Sequence, residues 1–280
     1  MGQPKTYAAT PFVKPKGGLA RLLAVVLPPV LFFIGLALIY AWVRSGLPAH
    51  RQFLMPSGWA LWDQAFGIAE VRSEIAERAL TTLGIALAGL AISMPLGMLL
   101  AIIMFRDLIL ERALFPNIVL NQAIPTLAVI PLIQTALGFG LLPKVLIVAN
   151  FTLFSIPITL LLGLKSVDRG IINLFRLQGA SWTTTLVKAC LPAAAPALFS
   201  GFRIAASMAV LSAIVSELFF LAGRGGLGQM IINAKLDFKY EQMYAGILVA
   251  TLMSLAVYVA FTWIGNRLFA DWHESSAPKT

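Results

Sequence analysis

Long apolar stretches, separated by short connections that carry the charges, dominate the hydropathy pattern of this 280-residue chain. A helix that crosses a bilayer needs about 20 mostly apolar residues, because each residue adds about 1.5 Å across a hydrocarbon core about 30 Å thick. Six stretches are long enough, at residues 20–43, 78–104, 113–137, 143–164, 192–222 and 244–267. The pattern therefore predicts an all-α polytopic membrane protein with six transmembrane helices.

Proline and glycine occur inside several of these predicted spans. A proline removes a backbone donor and crowds the preceding turn, so tilts or kinks are expected where it lies within a helix. The residues in question are Pro95, Pro125, Pro131, Pro157 and Gly201.

The composition agrees with a membrane protein and disfavours a soluble domain. Apolar residues make up 59% of the chain and charged residues 12%, whereas soluble chains carry about 25% charged residues. The mean hydropathy is +0.86. The net charge of +9 comes from Lys and Arg at the ends of apolar stretches rather than from a basic block, so we expect no nucleic-acid partner.

The residues that could build a metal centre or a catalytic site are scarce. Cys190 is the single cysteine, which excludes an intramolecular disulfide and a multi-cysteine metal site. His50 and His273 lie far apart and outside the predicted spans. We therefore predict no metal site and no catalytic residues, and an intramembrane hydrolase is disfavoured because it needs a nucleophile and a base within reach.

The distribution of Lys and Arg sets the predicted orientation. With the N-terminus in the cytosol, twelve of these residues fall in inner segments and eight in outer ones. Positive residues favour the cytosolic side, and an even number of spans places both termini there. The predicted organisation is a disordered basic tail (1–21), a first transmembrane helix (22–43), an extracytosolic amphipathic segment (44–77), a core (78–267) and a cytosolic tail (268–280).

The connection between the fourth and fifth spans, residues 165–190, is charged and yet partly apolar. Its four cations keep it out of the bilayer, because each would cost about 2.5–3.5 kcal/mol at mid-membrane. Asp168 is placed to cap a short helix that runs to about Gln178, Gly179 to end it, and a second helix follows through Val187. The apolar residues that share one side of the first helix are Ile171, Ile172, Leu174, Phe175 and Leu177.

A helix this short is not stable alone in water and needs a surface that buries its apolar side. That surface is either the membrane interface or another protein, and the pattern of residues leaves both open.

Polar residues inside the spans are candidates for a translocation pathway. Arg203 and Glu217 are ionisable residues within the fifth span, and such residues must face protein or water. The candidate pathway residues are Gln122, Gln134, Asn150, Ser155, Ser212, Ser216 and Glu217. The alternative is that these side chains pair with other spans or bond to helix backbones.

Residues 223–228, Gly-Arg-Gly-Gly-Leu-Gly, satisfy the GxGxxG pattern. That pattern indicates dinucleotide binding only between a strand and a helix, and here it follows a span. We expect it to form a sharp turn that needs positive φ.

The 165–190 connection resembles the cytosolic coupling loop of permeases in ATP-binding-cassette importers. That family's pattern runs E-A-A, three residues, G-A, about eleven residues, L-P. The chain keeps Gly179-Ala180 and Leu191-Pro192, but it has Asn173, Leu174 and Phe175 where E-A-A is expected. This departure leaves open which ATPase groups would be contacted.

Further stretches resemble the nitrate, sulfonate and taurine branch of these importers, which includes permeases for thiamine-pyrimidine precursors and riboflavin. They are residues 52–57, 124–131, 138–140, 163–168, Glu217, 226–228 and 272–273. The resemblance implies a type I importer permease with a cytosolic coupling helix, in a bacterial inner membrane. The ATPase-coupling residues it implies are Asp168, Ile171, Ile172, Asn173, Leu174, Phe175, Gln178, Gly179, Ala180, Leu191 and Pro192.

The resemblance also implies partners: ABC ATPase subunits, an extracytosolic solute-binding protein and a second permease copy. The sequence contains no GxxxxGK[ST] motif, so ATP and Mg would be used by the partner ATPase and no cofactor bound by this chain. The cargo would be a small polar solute, either a sulfonate-, taurine- or nitrate-like anion or a pyrimidine- or riboflavin-like vitamin precursor. The alternative function is a stand-alone channel or secondary transporter whose 165–190 helix lies on the membrane.

Overall fold

A computed structural model describes residues 18–220, 223 and 225–273 of the chain. Every regular element within these residues is a helix, which confirms the predicted all-α class. The chain divides into two compact units, residues 1–57 and 58–280. Most of the predicted N-terminal tail and the end of the C-terminal tail lie outside the described residues.

From residue 18 onward, the first unit contains one long helix and a short turn of 3-10 helix. Helix α1 spans Gly18–Gly46, and the 3-10 helix spans Ala49–Leu54. The chain then folds back toward α1, because the Tyr40 hydroxyl donates to the Pro56 carbonyl at 2.9 Å and Arg44 Nε donates to the Met55 carbonyl at 2.8 Å. The first predicted span lies within α1.

The second unit contains the remaining helices. Helix α2 is Gly58–Leu61 and continues into a π-helical turn at Trp62–Phe66. The next helices are α3 (Ala69–Arg106), α4 (Leu108–Ala123), α5 (Thr126–Leu137), α6 (Leu141–Leu153) and α7 (Ser155–Lys165). They are followed by α8 (Arg169–Leu177), α9 (Trp182–Thr185), a π-helical turn (Leu186–Cys190), α10 (Leu191–Phe219), α11 (Leu227–Leu236) and α12 (Tyr240–His273).

Four helical segments among the described residues are long and apolar enough to cross a membrane: Ala69–Arg106, Leu141–Lys165, Trp182–Phe219 and Tyr240–Leu268. The bent pair α4–α5 makes a fifth if it is one span. The polytopic architecture is therefore confirmed, and each predicted span coincides with helical structure.

The third predicted span, 113–137, is not one continuous helix. Helix α4 ends at Ala123, and its axis meets that of α5 at 102°. Ile124 between them is extended, with φ −72° and ψ 120°. Pro125 is the physical cause, because the residue before a proline is driven out of the helical region. Pro95, Pro116, Pro131 and Pro196 lie inside helices that continue through them.

Small residues allow the helices of the core to approach closely. Gly89 of α3 lies against Val148 of α6, and Gly163 of α7 lies against Ala194 and Ala197 of α10. A row of α10 alanines is fully buried: Ala205, Ala206, Ala209 and Ala213. Close approach at small residues is how helices associate where lipid removes the hydrophobic driving force.

Helix α3 makes contacts at two opposite ends of the second unit. Near its start, Arg78 donates to the Gly225 carbonyl at 2.9 Å, next to α11. At its end, the Arg106 guanidinium lies 5.4 Å from the ring centre of Trp182, which begins α9. These positions are 28 residues apart on one helix, so the two ends are separated by about 40 Å.

Candidate functional site

Helix α8 begins and ends where the sequence predicts. The Asp168 side chain accepts a hydrogen bond from the Gly170 N–H at 2.7 Å and so caps α8. Gly179 has φ +72° and ends the helix, in a backbone region that glycine adopts without a side-chain clash. The start and the end of α8 are therefore fixed by residues of this connection itself.

Helix α8 turns two different apolar faces in two directions. Ile172 is half-buried and packs against the main core, and Phe175 is half-buried beside it. Three other apolar side chains form an exposed ridge: Ile171 is 45% exposed, Leu174 54% and Leu177 86%. Spacing of three residues places them along one side of the helix. We call Ile171, Leu174 and Leu177 the α8 ridge.

The remaining predicted coupling residues surround this ridge or follow it. Asn173, Gln178 and Gly179 are exposed, and Ala180 is half-buried. Leu191 and Pro192 are half-buried at the start of α10. Leu177 is the most exposed apolar residue of α8 and was not among the predicted coupling residues.

Two contacts attach the α8 region to neighbouring helices. Lys165, at the end of α7, forms an ion pair of 2.5 Å with Glu111 of α4. Arg106 of α3 lies over the Trp182 ring. Contacts before and after α8 therefore attach the helix that carries the ridge to α4 and α3.

The predicted pathway serines are used in helix packing. Ser155 donates to the Thr152 carbonyl and, at 3.4 Å, to the Gly201 carbonyl of α10. Ser212 and Ser216 are buried and donate to carbonyls one turn earlier in α10. Their hydroxyl groups therefore bond to helix backbones, the alternative that the sequence left open.

Glu217 is fully buried at the far end of α10. Its carboxylate accepts hydrogen bonds from the Thr82 hydroxyl at 2.9 Å and from the Gly228 N–H at 2.8 Å. The Gly226 N–H also donates to it, and Thr82 in turn accepts from the Leu227 N–H at 2.8 Å. The carboxylate thus lies at the N-terminus of α11, where backbone N–H groups favour an anion.

This arrangement explains the glycine-rich turn. Gly223 has φ +82°, as expected of a sharp turn. A Cβ at Gly226 would meet Thr82 and Glu217, and a Cβ at Gly228 would meet the Ile214 carbonyl and Glu217. The turn lets the backbone approach a buried carboxylate, a role that the sequence pattern did not reveal.

Lys144 is a second buried charge that the sequence analysis missed. It is fully buried on α6, with its ammonium 5.9 Å from the centre of the Phe220 ring. The positive charge of Lys144 attracts the negative charge of Glu217. A lysine at the first turn of a predicted span is typical of a membrane boundary, so its sequence position gave no reason to expect burial.

Two further polar residues of the spans have local partners. Gln134 donates from Nε2 to the Phe219 carbonyl at 2.8 Å. Arg203 donates to the Ser200 hydroxyl at 3.1 Å, within its own helix. Neither contact points to a role in binding a solute.

A cavity with mostly apolar walls and a pair of asparagines lies where α4 and α6 meet. Asn121 Nδ2 donates to Asn150 Oδ1 at 2.9 Å. Both asparagines line three adjoining cavities, of about 370, 240 and 150 Å³. Gln122 lines the smallest of them. Two of the predicted pathway residues, Gln122 and Asn150, are therefore brought together, and Asn121 joins them.

Comparisons with known proteins place this arrangement in a family. The model for "Binding-protein-dependent transport system inner membrane component" matches residues 93–271. The chain is 31% identical to the formylaminopyrimidine transport permease protein ThiX of Halalkalibacterium halodurans, over 86% of this chain and 94% of ThiX. It is 36% identical to the riboflavin transport system permease protein RibX of Chloroflexus aurantiacus, over 59% and 61% of the two chains. A Bacillus subtilis permease protein named for aliphatic sulfonates, SsuC, is 27% identical over 68% of each chain.

The fold also resembles a solved structure. A chain of the MetNI methionine ABC transporter, in an inward-facing conformation, superposes with a TM-score of 0.57 at 20% identity. The match covers 76% of this chain and 99% of that one. At this identity the likeness concerns the fold.

Proposed function

This chain belongs to the family of binding-protein-dependent transport system inner membrane components, and on that premise we propose that it couples solute import to a separate ATPase through α8. It is the permease component of an ABC importer and a multi-pass inner-membrane protein, and it is not itself an enzyme. The proposal concerns how α8 couples to the ATPase, which subunits assemble with this chain and which solute it transports.

The observation that carries the proposal is the α8 ridge. Leu177 is 86% exposed and Leu174 is 54% exposed. They are exposed although α8 has a capped start, a defined end at Gly179 and contacts to neighbouring helices on both sides. Exposed apolar side chains gathered on one face of an ordered helix mark an interaction surface. A groove on an ATPase subunit would cover the ridge, while Ile172 holds α8 against the permease core.

The proposed direction of coupling follows from the anchors of α8. When the ATPase subunits bind ATP and Mg and close, they would push α8, and the Lys165–Glu111 and Arg106–Trp182 contacts would pass that displacement to α4 and α3. Such a switch requires the ATPase to bind the two permease conformations with different affinity. In this proposal α8 and both termini lie in the cytosol.

The proposed assembly contains two permease copies, two ATPase subunits and an extracytosolic solute-binding protein. The α11 end of the molecule, about 40 Å from α8, would face the binding protein. The cargo is a small polar solute, and two classes stay open at this point. They are a sulfonate-, taurine- or nitrate-like anion and a pyrimidine- or riboflavin-like vitamin precursor.

The experiment is purification of the tagged chain from its native membrane, with subunits identified by mass spectrometry. We expect an ATPase to co-purify with the unchanged chain. The double variant Leu174→Asp/Leu177→Asp should reduce the recovered ATPase at least about tenfold, because charges would replace the apolar contact. Leu236→Asp, at an exposed leucine of α11, is the matched control and should retain it.

Absence of an ATPase from the unchanged chain, or its full recovery with the double variant, contradicts the proposal.

A further inference from the structure

The cavities around Asn121 and Asn150 carry an inference about the cargo, which rests on the proposed function. The three cavities share this asparagine pair and lie between α4, α5 and α6. The largest has a volume of about 370 Å³, which falls in the range of pockets that hold small organic ligands. We propose that this is a solute-binding site in the translocation pathway, and that it takes an uncharged heteroaromatic compound rather than an anion.

The first argument is the charge of the lining. Among the described residues that line the three cavities there is no Lys, Arg or His. An ionised sulfonate that leaves water loses far more solvation than a neutral ring does, and a cationic partner offsets that loss best. Lys144 is on the same helix as Asn150, but its ammonium lies against Phe220 and acts on Glu217.

The second argument is the hydrogen-bonding capacity of the asparagine pair. One N–H of Asn121 and one acceptor position of Asn150 are used in their mutual bond at 2.9 Å. Each amide has two N–H donors and an oxygen with two lone pairs, so the pair still offers both donors and acceptors. Gln122 adds a further amide at the smallest cavity. A heteroaromatic ring with ring nitrogens, amino groups and carbonyls presents alternating acceptors and donors along one edge. That edge is complementary to the free donors and acceptors of the amides.

The third argument is the apolar part of the lining. Ile124, Ile133 and Ile147 line the largest cavity, and Phe151 and Phe154 line the smaller two. Apolar walls with a few placed polar groups suit a flat ring that has a polar edge. A small anion would leave these walls without a complementary surface.

The test measures binding directly, because uptake into cells also reflects the choice made by a binding protein. The full chain, purified in detergent with whatever subunits accompany it and without a solute-binding protein, is dialysed to equilibrium against formylaminopyrimidine, riboflavin or ethanesulfonate. We expect saturable binding of at least one of the two ring compounds, and none of ethanesulfonate.

The variants Asn121→Leu and Asn150→Leu should each weaken that binding at least about tenfold, because an apolar side chain leaves the polar edge of the ligand unpaired. Asn266→Leu, at an exposed position of α12, is the matched control and should bind as the unchanged chain does. Thermal unfolding of each variant establishes that it is folded.

Three results overturn the inference: saturable binding of ethanesulfonate alone, no saturable binding of any of the three compounds, or ring binding that is unchanged in both leucine variants. Recovery of the ATPase in the same preparation reports on the proposed function separately. A complex that retains its ATPase and binds ethanesulfonate overturns the class of cargo and leaves the coupling proposal standing.

Discussion

The Thr82 hydroxyl donates to the Glu217 carboxylate at 2.9 Å, although 135 residues of chain separate the two. Both side chains are fully buried. Thr82 also accepts from the Leu227 N–H, so one hydroxyl links α3, α10 and the first residue of α11. A single small side chain thereby determines how three helices meet.

Replacing Thr82 by valine should lower the free energy of unfolding by about 2–4 kcal/mol. The substitution keeps the shape but leaves the Leu227 N–H and part of a buried carboxylate without a partner, and each such loss costs about 1–3 kcal/mol. Thermal or denaturant unfolding in detergent measures the change. Thr81→Val is the control, because the Thr81 hydroxyl donates to the Glu77 carbonyl of its own helix in an exposed hydrogen bond. Equal destabilisation by the two variants would contradict the assigned role.

A double-mutant cycle should show coupling between Glu217 and Lys144. Each charge is fully buried and acts on the other. Removing one of two interacting buried charges is destabilising, because the other charge stays buried with less compensation. We therefore expect Glu217→Gln/Lys144→Met to be destabilised by less than the sum of the single variants. Additive effects within about 0.5 kcal/mol would show that the two charges are independent.

Gly228→Ala should destabilise the protein, and Gly84→Ala should not. A Cβ at Gly228 would meet the Ile214 carbonyl and Glu217, whereas a Cβ at Gly84 meets nothing within 4 Å. Overpacking of this kind costs about 1–3 kcal/mol. Alanine in an open helical position gains about 0.5–1 kcal/mol over glycine. Unfolding curves of the two variants decide the prediction, and it fails if Gly228→Ala unfolds at the same temperature as the unchanged protein.

Lys165→Met should change the free energy of unfolding by no more than about 1 kcal/mol. The Lys165 side chain is 45% exposed and that of Glu111 19%, and solvent-accessible ion pairs contribute about 0–1 kcal/mol. The same variant should nevertheless reduce ATP-driven uptake, if this pair transmits the displacement of α8. Lys188→Met is the control for the loss of one cation in the same connection. Uptake equal to that of the control would show that the ion pair has no part in transmission.

Local sequence signals were sufficient for the boundaries of α8 and for the positions of the spans. Asp168 and Gly179 act on their own neighbours, so their effect can be predicted from the sequence alone. The direction in which α8 turns its apolar residues could not be predicted, because it depends on Ile172 packing against a core assembled from distant helices. For that reason the most exposed residue, Leu177, was absent from the predicted coupling residues.

The buried charges show the same limit more strongly. Glu217 was recognised as unusual because a carboxylate inside a span is costly, but its partners Thr82 and Gly228 come from other helices. Lys144 gave no signal at all, since a lysine at a span end is ordinary. The break at Pro125 could be foreseen as a kink, but its angle of 102° could not be predicted from the sequence.

Helix α4 carries one residue of the ion pair beside α8 and one residue of the asparagine pair that lines the cavity. Glu111, near its start, is tied to Lys165 beside α8, and Asn121, near its end, faces Asn150 in the cavity. These two residues are ten positions apart, about 15 Å along one rod. Under the proposed coupling, a displacement of α8 that reaches Glu111 would be carried along this one helix to Asn121 and would change the shape of the cavity.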